Sequence, residues 1–490
     1  MRIIHLILFV SFIHSTNTSP LPSCPSKKPN DDVLQNYLRS TFPDNAVRTA
    51  ELAVRTLYEL QPYPPRLHNK WLSGHSVLIE CLPQTIQQAL GQDLTKYTTA
   101  NPYRILIAGA GTGDPTLSCA HSFFLANIPI EVIHLDLSAR STTIAIGRVQ
   151  RLLTPELIEK ISFVRGSIND IAALLAMSTN DSSIIEEHPT NSNSTVTLLD
   201  TNNPLHMQQI QLLFKNGFNY IHSTGVLHHT FDPTTNLFHL QNTFLKTNGG
   251  LALWMYSSMG RAGIHDIQKM MSMLLPKHVN DTLDEQLAWE NQDKEALHRI
   301  KVRHANKLHM VYELLENLPE TSRLSRNPVL KRTINGWVQQ HKNEMRQKRQ
   351  QKFNKKGKEK EHPSRWDVRI SDMFLNPIDK EYSILDFVQY LKSVELHPVK
   401  WLDVETGHYD TSILLETSSG LMHGRLDTLT ENKRLEFGEL FRGTAVGHRV
   451  IAAKTLHSRE IPVGTEKLPI LKRKKEHVVD VLNQYSYIRI

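Results

Sequence analysis

A doubly wound α/β fold with a mostly parallel central sheet is predicted by three features of the sequence. Apolar runs suited to strands recur at 104–109 (RILIAG), 130–136 (IEVIHLD), 161–166 (ISFVRG), 218–223 (FNYIHS) and 250–256 (GLALWMY). The intervals between them are long enough for crossover helices, which would cover both faces of the sheet. The first run passes directly into the glycine-spaced turn GAGTG at 109–113, where such a sheet brings backbone close to a ligand.

The chain opens with Met1 and Arg2, continues through IIHLILFVSFI and then turns polar. One positive charge followed by a short apolar run makes 1–20 a signal-peptide-like segment that is too short to span a bilayer. No other run approaches the roughly twenty apolar residues a spanning helix needs, so no stable membrane span is expected after cleavage. An uncleaved anchor and a cytoplasmic chain are the alternatives. The sequons at Asn17, Asn180, Asn193 and Asn280 become glycan acceptors only in the secretory pathway. Cys24, Cys81 and Cys119 are widely spaced, and no bridge among them is expected.

Residues 24–100 form a helical N-terminal segment. Val33, Leu34, Tyr37 and Leu38, then Leu52, Val54, Leu57 and Leu60, lie at helical spacing until QPYPP at 61–65 stops the pattern. A second helix is predicted from Ser76 to Leu90 with Pro83 as a kink. The main domain occupies 101–260, interrupted by a polar insertion at 177–204. A helical cover at 261–340, a basic low-complexity linker at 341–363 and a smaller mixed accessory region at 364–490 complete the division.

The net charge of +7 is concentrated rather than spread. Between His341 and His362 there are nine Lys/Arg and three Asp/Glu, so nearly the whole excess sits in one solvated tract. No nucleic-acid-binding signature accompanies it, and nucleic acid is not the expected partner.

The glycine turn selects among ligands. The dinucleotide fingerprint needs a glycine at position 114, which here is Asp114. An acid there would repel a pyrophosphate on the helix N-terminus, whereas it is tolerable beside a sulfonium. Asp136 closes the second run, where a carboxylate can accept both ribose hydroxyls of S-adenosylmethionine (SAM) or of NAD.

In that order and spacing, ILIAGAGTGDPT, IHLDLS, IHSTGVLHHTFDP and FLKTNGGLALWMYS resemble the class I SAM-dependent methyltransferases. PYPPRLHNKW before the domain and DMFLNPIDKEYSILDFVQYL after it extend the resemblance to a branch found in bacteria and eukaryotes. Some members of that branch are attached to tetratricopeptide repeats, which this sequence lacks. The resemblance implies that Gly109, Gly111 and Gly113 surround the methionine part of SAM, that Asp136 holds the ribose, and that Ser167 and Ile168 contact adenine. The family often has Asp where this chain has Ser167, and an acid where it has Ile107.

His228 and His229, just past the fourth run, are expected near the mouth of the pocket, where either can serve as a general base or merely pack. No third residue with metal-ligand spacing joins them, so no metal is expected. Tyr256, the third candidate catalytic residue, begins with Arg261 and His265 the segment expected to cover the methyl acceptor, with Tyr63 and Trp71 on its other side. The function expected is methyl transfer to an unidentified protein or small-molecule acceptor. The alternatives are an NAD(P)-dependent oxidoreductase and a non-catalytic module that binds SAM or a partner.

Overall fold

The computed structural model describes residues 44–66, 78–178, 196–275, 288, 293–354, 364–402, 424–426, 428–443 and 445–454. The signal-peptide-like segment, Cys24, the four sequons and Trp71 lie outside the described residues. The chain divides into two units, Met1–Arg48 and Thr49–Ile490. Of the first, only the opening of helix α1 (Asp44–Leu60) is described, and all the other described elements belong to the second.

The five predicted runs are strands β1 (Tyr103–Ala108), β2 (Ile130–Asp136), β3 (Ile161–Arg165), β5 (Phe218–Thr224) and β6 (Leu245–Ser257). Every residue of β1 is buried, and its side chains alternate. Ile105 and Ile107 enter one core, Leu106 and Ala108 the other. The first core is closed by α2 (Pro83–Leu90), α3 (Asp114–Leu125) and α4 (Ala139–Leu152) through Ile86, Phe123 and Val149. The second is closed by α5 (Ile168–Ser178), α6 (Pro204–Lys215) and α11 (Ile384–Lys392) through Ile171, Phe214 and Phe387. The sheet is therefore doubly wound.

With β4 at Leu198–Asp200, β8 at His397–Trp401 and β9 at Gly447–Ala453, the strand order is β4-β3-β2-β1-β5-β6-β9-β8, and β7 (Glu381–Tyr382) also pairs with β6. The chain leaves β1 in one direction through β2, β3 and β4 (Leu198–Asp200), then returns to its other side with β5. That reversal opens a crevice at the carboxyl ends of β1 and β5, the usual ligand position in such sheets.

Several expectations need correction. β4 falls inside the stretch read as a polar insertion; its three residues are too few to show a strand pattern. The region set apart as C-terminal and accessory supplies part of the same sheet. β9 (Gly447–Ala453) pairs antiparallel with β6 over seven residues, and β8 (His397–Trp401) pairs antiparallel with β9. Pro83 starts α2 instead of kinking it, because a residue with no N–H and a fixed φ suits a first helical position. The basic tract begins as helix: α9 (Gln339–Asn354) runs well into it.

The described residues between 261 and 340 are mostly helical, and their packing extends past 340. Ile267 of α7 (Ile264–Leu274), Val311 of α8 (Lys294–Glu316) and Phe374 of α10 (Arg365–Phe374) form one apolar cluster. Cys81 and Cys119 are buried free thiols. Among the described residues no helix is long and apolar enough to cross a membrane.

Candidate functional site

The turn from β1 to α3 needs its glycines for backbone reasons. Gly109, Gly111 and Gly113 have φ of +72°, +55° and +95°, a region that L side chains rarely adopt. A Cβ on Gly109 would lie 2.3 Å from Val226, and one on Gly111 only 2.4 Å from the carbonyl oxygen of Tyr63. Gly109 and Gly111 line a pocket at the switch point. Gly113 does not; its missing side chain lets α3 approach Ala145 of α4.

The N–H groups of this turn are already used. Gly109 and Ala110 donate to the Leu135 carbonyl at 2.9 and 3.0 Å, Thr112 to the Tyr63 carbonyl at 3.1 Å and Gly113 to the Ala110 carbonyl at 3.1 Å. Gly111 donates to Asp136 Oδ2 at 2.7 Å. A pyrophosphate needs such donors free, so these five amides offer it no cradle. Contrary to expectation, Asp114 is not what repels a pyrophosphate, because its charge does not reach a ligand unpaired. Asp114 Oδ2 accepts from Arg66 at 2.6 and 2.8 Å, and Oδ1 accepts from the buried Arg148 at 2.7 Å.

Asp136 stands at the carboxyl end of β2 and lines the pocket. Its Oδ1 accepts the Ser138 N–H at 2.8 Å while Oδ2 accepts that of Gly111, which leaves a lone pair on each oxygen for a diol. Burial pushes this carboxyl up to about 6, helped by the charge of Glu59 and opposed by the two N–H donors. The fold is thus favoured by protonation: the associated stability is complete below the ordinary carboxylate value and is lost as pH rises through about 6. A ligand whose hydroxyls donate to the carboxylate has the opposite preference. Its affinity should be level above pH 6 and fall by up to about tenfold per unit below it. Asp136→Ala should weaken such a ligand by roughly 1.5 to 3 kcal/mol without unfolding the domain. Isothermal titration with SAM across pH 5 to 8 checks both; an unchanged affinity in the variant removes Asp136 from the site.

Ser167 and Ile168 line the next part of the pocket, past β3. Ser167 caps α5, its Oγ accepting the Asp170 N–H at 3.0 Å while its own N–H donates to Asp170 Oδ2 at 3.0 Å. The cap leaves the hydroxyl hydrogen for a ligand. The pocket encloses about 840 Å³ of empty space, including open solvent at its mouth.

Helix α1 supplies lining that the sequence does not mark as such: Glu51, Val54 and Tyr58. It is fastened to the starts of α4 and α5 at several points. Glu59 accepts the N–H groups of Ala139 and Arg140 at the start of α4, at 2.7 and 3.2 Å. Arg140 returns two hydrogen bonds to the last carbonyls of α1, and Asn169 donates to Glu51 at 2.8 Å. The only sequence signal for this side was the amphipathic spacing of α1, which marks a buried face without saying what it covers.

The two histidines separate. His228 is fully buried outside the lining, tilted against the Tyr256 ring at 3.9 Å, and neither ring nitrogen has a hydrogen-bond partner among the described residues. Burial holds it well below the usual histidine range, with the charges of His229 and Arg261 acting in the same direction. His229 lines the pocket beside Thr230 and Asn236. Its Nδ1 is 2.7 Å from the Ile378 carbonyl oxygen, which can only accept, so Nδ1 carries the hydrogen and Nε2 presents the lone pair of the neutral ring.

Tyr256 also lies outside the lining, capped by the Arg261 guanidinium 3.6 Å above its ring, and burial raises its phenol far above the usual value. Arg261 is held by Asp379, and His265 lies between Asp379 and Glu381, pushed up to about 9 chiefly by the two carboxylates beside it. Of the aromatic pair expected across the site, Tyr63 lines the pocket. No group of three metal-ligating side chains occurs among the described residues.

Fold and pocket together define a doubly wound α/β protein with a pocket at its switch point. No family model and no curated protein matches the chain. Among solved structures it is similar to PKMT2 from Rickettsia typhi in complex with AdoHcy, with 11% identity and a TM-score of 0.42 over 80% of this chain and 55% of that one. A second structure of PKMT2 is matched over 53% of its length, so the chain spans about half of these two proteins. The plantazolicin methyltransferase BpumL in complex with SAH is matched at 8% identity and a TM-score of 0.31, over 84% of this chain and 98% of that one.

Proposed function

We propose that this protein is a SAM-dependent methyltransferase whose donor occupies the pocket at the ends of β1, β2 and β3. The observation that carries the reading is a diol-accepting carboxylate, Asp136, beside a glycine turn whose five amides are already hydrogen-bonded. That combination suits a nucleoside without a phosphate chain, and disfavours NAD and NADP. Gly109 and Gly111 would lie along the methionine part, Asp136 on the ribose, and Ser167 with Ile168 on adenine. Bound there, SAM supplies a methyl group already activated on a sulfonium.

The chain's own contribution is to orient the acceptor, exclude water and hold its proton. Of the three candidate catalytic residues, His229 is the one that lines the pocket with a lone pair available, and it is assigned the general base. His228 and Tyr256 stand behind it as packing. The acceptor is a protein or a small molecule.

Within this class we read the chain as belonging to the branch that includes repeat-linked members. Support comes from its two flanking segments, since Tyr63 of the first lines the pocket and Ile378 of the second holds His229. The N-terminal run supports passage through the secretory pathway, which a glycosidase-sensitive change in gel mobility would test.

SAM, or its demethylated product, should stabilise the protein thermally while NAD and NADP should not. At a hundred times its dissociation constant a ligand adds about 2.7 kcal/mol. A larger shift with NADP would replace this reading with the oxidoreductase. Incubation with methyl-labelled SAM and a cell extract then identifies the labelled acceptor, and SAM binding without any label transfer would favour the non-catalytic module.

A further inference from the structure

The segment from Asp372 to Glu381 wraps the turn that carries His228 and His229. Its backbone holds one side of His229 through the Ile378 carbonyl at 2.7 Å. Asp372, at the end of α10, faces the other side, with Oδ1 at 4.0 Å from His229 Nε2. The same Oδ1 accepts the Tyr58 hydroxyl at 2.9 Å, and Asn376 donates to that hydroxyl at 3.1 Å. Tyr58 and His229 both line the pocket, whereas Asp372 lies just behind them.

With Nδ1 committed to a carbonyl, the unprotonated Nε2 and an ionised Oδ1 would stand 4.0 Å apart as two acceptors in a buried place. A proton on Nε2 turns that opposition into an ion pair. Burial pushes the Asp372 carboxyl up, while a charge on His229 and the Tyr58 hydrogen bond pull it back down, so Asp372 is the immediate counter-charge once His229 is protonated. Arg261 lies against the Tyr256 ring and is paired with Asp379, and the phenols of Tyr58, Tyr63 and Tyr256 are all pushed upward by burial and so stay neutral. His228, the remaining titratable neighbour, is held neutral by burial.

We propose that Asp372 is a positioning residue that makes His229 a base, by stabilising the imidazolium formed when Nε2 takes the acceptor's proton; this rests on the methyltransferase reading. The acceptor's lone pair forms the bond to the methyl carbon, the carbon–sulfur pair stays on sulfur, and the released proton ends on Nε2 beside the Asp372 carboxylate. Tyr58 fixes the carboxylate from the pocket side, so that α1 and α10, far apart in sequence, meet at the proton's destination.

The test uses the full chain labelled with ¹⁵N-histidine, its His229 signals assigned by their loss in His229→Asn. In the wild type, the neutral ring should carry its hydrogen on Nδ1; a hydrogen on Nε2 overturns the proposal and needs no further variant. In Asp372→Asn, which still offers Tyr58 an acceptor, the His229 ionisation should move by about one unit to lower pH, and in Asp372→Glu it should return towards the wild-type position. Once an acceptor is identified, the acid limb of the rate profile should move with it and turnover should fall about tenfold. An ionisation that is the same in wild type, Asn and Glu variants would reduce Asp372 to an anchor for Tyr58. Tyr58→Phe would then reproduce its loss of stability. SAM-dependent thermal stabilisation, measured on every variant, separates this failure from failure of the methyltransferase reading itself.

Discussion

His229→Asn should lower methyl-transfer turnover by about two to four orders of magnitude while leaving the dissociation constant of SAM nearly unchanged. Asn is the informative replacement because its amide can still donate to the Ile378 carbonyl, which now accepts from Nδ1 at 2.7 Å. The turn is then kept and the lone pair at Nε2 is lost. The variant should also lose one ionisation from the acid limb of its pH dependence. His228→Asn should behave differently. That ring is wholly buried against Tyr256, so its replacement should lower thermal stability and leave the pH dependence unaltered. Near-normal turnover in His229→Asn, measured on the identified acceptor, would end the general-base assignment.

Gly111→Ala should abolish SAM-dependent stabilisation. Backbone strain at φ +55° costs about 1–3 kcal/mol for a residue with a side chain. The added Cβ would also lie 2.4 Å from the Tyr63 carbonyl oxygen, which is itself held by the Thr112 N–H. Neither side can yield without moving Tyr63 or the Gly111 amide away from Asp136. Gly443→Ala is the matched control. It has φ +58° but no described atom within 4 Å of its Cβ, and should lose about 1 kcal/mol of stability with no effect on ligand. Thermal unfolding of both variants, with and without SAM, makes the comparison. A retained ligand shift in Gly111→Ala would put the ligand elsewhere.

The parts of this protein legible in its sequence are those encoded within a few consecutive residues. β1 and its turn are one continuous string, and Asp136 ends a strand that the apolar pattern already delimits. What was missed is assembled across long separations. Tyr58 and Asp372 are 314 positions apart, and neither has a local pattern that tells a pocket residue from a core one. His228 and His229 are neighbours in a single tight turn, so only the rotation of that turn decides which ring meets the cavity. β4 was hidden by brevity and by its polar surroundings. β9 was hidden because an antiparallel strand arriving late in the chain leaves no trace in the β–helix–β rhythm that marks the parallel ones. The sequence shows Asp114 as an acid but not that its charge is paired, because Arg66 and Arg148 are distant in sequence.

The late arrival of β9 also has a meaning for how the protein is made. On the ribosome, β1 through β6 emerge early, and the crevice between β1 and β5 can form from them. One side of β6 then waits, its backbone groups unpaired, until Gly447–Ala453 has been synthesised and can occupy it. An unfilled strand edge is a template for pairing with another chain, and a contact between such distant segments is slow to close. A chain truncated before Gly447 would therefore keep every residue that lines the pocket, yet carry an open edge along β6, and its fate would be decided by association rather than by loss of the site.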